Sequence, residues 1–168
     1  MTEAKAAVLS LLKDAYVKRD KVCMITFAGN DAKVVLPPTR SVERGYRLLE
    51  KLETGGRTPL NAGLEKALRV IQNEFRQDPE IMPVLTIITD GRGNVPVDKK
   101  RKASEELLVL GEKLNKLKAV ETIVIDIENS LLLSFDLAKK LSNSIDARYY
   151  RLDEIKQGEM VDIVRKEY

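Results

Sequence analysis

The chain has 168 residues, 43% of them hydrophobic, with 29 basic against 26 acidic residues for a net charge of +3, which describes one globular domain with a real core rather than a disordered segment. It holds no histidine and one cysteine, Cys23, which removes serine–histidine and cysteine–histidine catalysis, most zinc sites and any internal disulfide. Its basic residues are interspersed, Lys99-Lys100-Arg101-Lys102 being the one dense run, so no nucleic-acid partner is expected.

Residues 3–18 place Val8, Leu11, Leu12 and Ala15 at helical spacing. "KVCMITFA" (residues 21–28) is a nearly continuous apolar run, as in a strand buried on both faces, and Cys23 within it is expected to be a small buried hydrophobe. Gly29-Asn30-Asp31 is turn chemistry, and "AKVVLPP" then forms a short strand, expected antiparallel to the previous one, with Pro37-Pro38 suited to a sheet edge. Ser41 can cap a helix that buries Val42, Tyr46, Leu49 and Leu52.

The glycine-rich turn "ETGGRTPL" leads into a helix with Leu64, Ala67, Leu68, Ile71 and Phe75 on one face. "MPVLTIITDG" is a second buried strand, ending at Thr89-Asp90-Gly91. Residues 98–118 form a helix with Ala103, Leu107, Leu110, Leu114 and Leu117 inward, and "ETIVIDIE" is a third buried strand. "SFDLAKKL" is a short helix, "ARYYRL" a last strand and residues 153–166 a terminal helix. This alternation predicts an α/β fold with a mostly parallel sheet, helices on both faces and one antiparallel edge strand.

In such sheets ligands sit beyond the carboxyl ends of the strands. Thr58 and Asp90 fall there. Thr58-Pro59 is a good N-cap and N1 pair, so capping is the default reading of that hydroxyl, and Gly55 and Gly56 supply positive φ for the turn. Asp90 can cap a turn or pair with Arg92 or a lysine, yet a carboxylate ending a buried strand needs a cation or several donors. Together the two side chains suggest part of a Mg²⁺ site, and further oxygens must come from elsewhere. "GRGN" lacks the spacing of a dinucleotide fingerprint and "GGRTPL" lacks the lysine of a phosphate loop, so no nucleotide site is expected. Arg40, Arg57 and Arg92 are expected near the same rim, as surface ion-pair partners or as docking residues.

"LPPTRSVERGYRLLEKLETGGRTPLNAGLEKAL", followed by "LTIITDGRGN", resembles the von Willebrand factor A (integrin I) domain at the C-terminal end of the magnesium chelatase D subunit. "AVLSLLKDAYVKRDKVCMITF" and "ARYYRLDEI" fit the same pattern, so the resemblance covers essentially the whole chain. It implies a Rossmann-like A domain over residues 1–168 with a metal-ion-dependent adhesion site in three parts. Thr58 and Asp90 match the second and third parts, with Gly55, Gly56 and Gly91 in the site loops. The first part, an Asp-x-Ser-x-Ser loop, and the first, central strand before it find no match. Mg²⁺ is therefore expected to bind weakly or not at all. "KVCMITF" and "PVLTIIT" would flank the missing strand as apolar edges, prone to self-association. Truncation of the chain is the expected reason; donation of the strand by another chain and direct pairing of the flanking strands stand open beside it.

The resemblance further implies partnership with an AAA+ ATPase subunit and a large porphyrin-binding subunit, which insert Mg²⁺ into a tetrapyrrole at the expense of ATP. This domain would serve assembly. Two alternatives are kept. One is an interaction module of another AAA+ system, cobalt chelation included. The other is a Mg²⁺-dependent hydrolase or phosphoryl-transfer enzyme using Asp90, with Asp126 as the other strand aspartate in a suggestive place. No apolar run is long enough for a membrane span and nothing resembles a signal peptide, so a cytoplasmic protein with no membrane contact is expected.

Overall fold

The computed structural model describes residues 2–29, 31–51, 58–90, 102–117, 119–127, 137–155 and 159–165. The elements run α1 (Thr2–Lys18), β1 (Val22–Ala28), β2 (Asp31–Thr39), α2 (Val42–Lys51), α3 (Leu60–Gln77), β3 (Val84–Thr89), α4 (Ala103–Asn115), β4 (Glu121–Asp126), α5 (Leu137–Ser144), β5 (Arg148–Arg151) and α6 (Glu159–Arg165), with a 3-10 turn at Leu152–Glu154. This is the expected α/β alternation. The first turns of the helix expected from residue 98 lie outside the described residues.

The strands form two sheets. β1 and β2 make an antiparallel pair joined through Gly29, whose φ of 68° needs glycine. β3, β4 and β5 make a parallel sheet in that order, with Ile87 opposite Val124 and Val124 opposite Tyr149. No ladder joins β1 to β3, so the flanking strands do not pair directly.

β4 lies in the middle of its sheet between helical layers, and Ile123, Val124 and Ile125 are fully buried there. Burial of such side chains contributes about 1.5–3 kcal/mol each. β1 and β3 are equally apolar but mostly half-buried, and Cys23 is exposed. The expectation of strands buried on both faces therefore fails for these two. Their inner edges face a seam instead of a neighbouring strand.

Two helices hold the sheets together across that seam, one on each face. On one face Leu60, Leu64 and Leu68 of α3 share a core with Ile87 of β3, and Phe27 of β1 packs against it. On the other, Ala7 and Leu11 of α1 pack with Val84, Ile88 and Ile125, while Val8 and Leu12 pack with Val22, Met24, Val42 and Leu49. Arg165 of α6 clamps α1 from below, bonding Asp14 and reaching Asp20 at 2.8 Å.

β1 and β3 run the same way. Lys21, at the start of β1, meets Glu74 near the end of α3 at 2.8 Å. Phe27, near the end of β1, abuts Gly63 in the first turn of α3, where a Cβ would lie 2.9 Å from the Phe27 ring. β1 is thus antiparallel to α3. The chain turns back through residues 78–83 into β3, which is antiparallel to α3 as well.

Candidate functional site

The carboxyl ends of β1 and β3 and the start of α3 meet at one end of the molecule. Thr58 occupies an isolated bridge position there and Asp90 directly follows β3, both half-buried. The fold thus brings the two predicted metal-site residues to the same rim.

The capping expectation for Thr58 is corrected. α3 begins at Leu60, with Pro59 at the N-cap position and no side-chain cap. The backbone closes the turn instead: Leu60 N–H donates to the Thr58 carbonyl at 2.9 Å, and Gly63 N–H to the Pro59 carbonyl at 3.2 Å. Pro59 has a φ of −80°, which suits a helix, but a ψ of 67°, which does not, so the first helical residue is Leu60 rather than Pro59. The Thr58 hydroxyl is not used to hold the helix.

Arg40 does not share this rim. It follows β2, whose end pairs with the start of β1 (Thr39 opposite Val22), and its Nε donates to the Arg19 carbonyl at 3.0 Å. A strand of this length spans roughly 20 Å, so Arg40 belongs to the opposite end of the sheet. Gly55, Gly56, Arg57, Gly91 and Arg92 lie outside the described residues.

Beneath the rim lie further polar groups, of which the sequence singles out Asp126 and not Asn61 or Glu106. Asn61, fully buried in the first turn of α3, donates to the Ala103 carbonyl at 2.8 Å and to the Glu106 carboxylate at 2.9 Å. Asp126, at the end of β4 and opposite Thr89, accepts a 2.7 Å bond from the Tyr149 hydroxyl. Thr89 is buried on the same strand end. The signal was present in the sequence: Asn61 shares a stripe with Leu64 and Leu68, and Glu106 shares one with Ala103 and Leu110. A polar residue on an inward stripe marks a paired buried group.

These residues supply fewer oxygens than Mg²⁺ takes. One hydroxyl and one carboxylate fall well short of about six ligands, and among the described residues no three His, Cys, Asp or Glu side chains are grouped to hold a metal. The pair alone does not make a metal centre. Waters and oxygens from elsewhere would have to complete it.

A profile of the von Willebrand factor type A domain matches residues 1–92, more than half of the chain. The chain belongs to this family. The A domain is similar to magnesium-chelatase subunits. It is 36% identical to the 67 kDa subunit of Heliobacterium mobile over 98% of this chain and 25% of that protein. With the 67 kDa subunit of Chlorobaculum tepidum it shares 38% identity, over 96% of this chain and 27% of that one. It is also 37% identical to an uncharacterized protein of Methanocaldococcus jannaschii, over 98% of this chain and 93% of the other. The chain thus spans about a quarter of these chelatase subunits and nearly all of the archaeal protein. Among solved structures, a conserved hypothetical protein, BatB, from Bacteroides thetaiotaomicron aligns with a TM-score of 0.67 at 18% identity, covering 99% of this chain and 88% of that one. The SpRpn10 A domain aligns at 0.63 and 15%, covering 99% and 82%. Those two likenesses bear on the fold alone. No helix among the described residues is long and apolar enough to cross a membrane.

Proposed function

We propose that this A domain is a metal-ion-dependent protein-interaction module of the magnesium chelatase D type, assembling with an AAA+ ATPase subunit during ATP-dependent metal insertion into a tetrapyrrole. The observation that carries the reading is the shared rim of Thr58 and Asp90: one hydroxyl not used as a cap and one strand-end carboxylate, in a chain homologous to chelatase subunits over nearly its whole length. A Mg²⁺ ion held by two protein oxygens and waters keeps open positions, and an acidic side chain of the partner would complete its shell. The large porphyrin-binding subunit would join the same assembly. A second reading keeps the module and changes its system to another AAA+ partnership, cobalt chelation included.

The hydrolase alternative has thin support, because a metal-dependent enzyme needs several fixed ligands beside an open position. ATPase and phosphatase assays on the chain separate the classes. No turnover is expected. Turnover that disappears in Asp90→Ala would replace the module reading with an enzymatic one.

A further inference from the structure

Along the side of the molecule, β2 and α2 enclose a groove of about 280 Å³, with Val35, Leu36 and Pro37 on one wall and Arg44, Arg47 and Leu48 on the other. A regular strand turns successive side chains to opposite faces, so three consecutive residues would not line one groove. β2 is irregular there. Met24 lies opposite Leu36 and Ile25 opposite Val34, so Val35 is an extra residue with no partner across the ladder. Val22 lies opposite Thr39, which leaves a second extra residue between Leu36 and Thr39, where the two prolines stand. Such bulges re-aim side chains, and here they turn all three onto α2. Helical spacing builds the other wall. Arg44 and Leu48 are four residues apart with Arg47 beside them, so a half-buried leucine lies between two exposed guanidinium groups. Lys51, also exposed, continues that stripe three residues after Leu48.

Charge specifies the occupant. No acidic residue lines the groove. Arg44 makes no ion pair among the described residues. Arg47 pairs only with Glu43 of its own helix, both side chains being 75% exposed, a contact of small worth that a better partner can displace. Two guanidinium forks over an apolar floor fit carboxylates carried on an apolar body. Small-molecule pockets hold about 300–1,000 Å³ and bury most of their ligand; this groove is smaller, and its Pro37 wall is exposed, so it suits a few side chains of a chain lying across it. We infer that the groove between β2 and α2 is a second docking site, which takes a short acidic segment of a protein partner. One apolar side chain of that segment rests on Leu48 and Pro37, and its flanking Asp or Glu carboxylates meet Arg44 and Arg47. The groove includes neither Thr58 nor Asp90, so docking here needs no metal and leaves the rim free.

The test titrates the full chain with a fluorescein-labelled synthetic peptide of about eight residues that alternates glutamate and leucine, long enough to cross the groove. Affinity is read by fluorescence anisotropy and the site by NMR chemical shifts. Binding tighter than about millimolar is expected, with shifts gathered at Val35, Leu36, Arg44, Arg47 and Leu48 and an affinity that falls with added salt. Arg44→Glu alters an exposed side chain, which leaves the fold intact, and should weaken binding at least about tenfold. A peptide with lysine in place of glutamate should reverse that order and prefer the Arg44→Glu chain. Equal binding of a peptide with glutamine in place of glutamate would overturn the inference. So would shifts centred on another surface, an affinity indifferent to Arg44→Glu, or no binding at millimolar peptide. Tighter binding of a single-stranded oligonucleotide or of phosphatidylserine vesicles, lost in Arg44→Glu, would also overturn it by assigning the groove to phosphate groups. Peptide binding should be unchanged in EDTA and in Asp90→Ala, so failure of metal-dependent docking at the rim and failure of the groove are separate results.

Discussion

Asn61 donates its side-chain amide to Glu106 at 2.9 Å, joining the first turns of α3 and α4 beneath the rim that carries Thr58 and Asp90. Both residues are buried, Asn61 completely. Asn61→Ala takes a donor from a buried carboxylate and from the Ala103 carbonyl together. The expected cost is about 2–4 kcal/mol, read as a lower urea midpoint with an unchanged slope.

Thr58→Ala should behave differently. If the hydroxyl capped α3, its loss would cost about 1 kcal/mol. α3 carries no side-chain cap, so the expected change in stability is below about 0.5 kcal/mol by the same measurement. The effect should appear only where a divalent ion and a partner are present.

Two helical glycines separate packing from propensity. A Cβ at Gly111 would lie 2.7 Å from the Ser144 carbonyl oxygen, a backbone atom that cannot move alone. Gly111→Ala should therefore destabilise by about 2–3 kcal/mol by forcing α4 from α5. At Gly45 the nearest atoms are the tips of Leu12, at 3.1 and 3.2 Å, which can rotate away. Gly45→Ala gains about 1 kcal/mol of helix propensity, so it should be close to neutral in thermal denaturation.

Cys23 is exposed as a residue, yet its thiol is pushed up to about 11, first by desolvation and then by the Glu74 carboxylate. The raised value favours the protonated thiol in the folded state. Its contribution to stability is present below the ordinary thiol range near pH 9 and is lost as the pH rises toward 11. At pH 8 alkylation by iodoacetamide should be on the order of a hundredfold slower than for an unfolded control, and should accelerate toward pH 11.

The alternation of elements was legible because each apolar run keeps one period: 3.6 in α3, near-continuous in β4. Burial of β1 and β3 was misjudged because an apolar run announces a strand that wants two neighbours, not whether it has them. "KVCMITFA" looks like a central strand, and in the fold its inner edge faces the seam, leaving Cys23 exposed. Thr58 and Asp90 were legible as a pair because both follow from where strands end and helices begin. Arg40 sits at the opposite end of the sheet from the rim because β2 runs antiparallel to β1, a direction the run "AKVVLPP" does not itself encode. The Asn61–Glu106 bond joins residues far apart in the chain, and only the packing of α3 on α4 brings them together.

The proposed role of Thr58 and Asp90, as part of a metal site that a protein partner completes, is tested most directly by the affinity of the chain for the AAA+ ATPase subunit of the same organism, by titration calorimetry in Mg²⁺ and in EDTA, for wild type and Asp90→Ala. Mg²⁺ binding to the chain alone is expected to be weaker than about millimolar. Partner binding is expected to be at least about tenfold tighter in Mg²⁺ than in EDTA, or about 1.4 kcal/mol, with that gain abolished in Asp90→Ala. Partner binding equal in Mg²⁺ and EDTA, or a Mg²⁺ gain that survives Asp90→Ala, would contradict it.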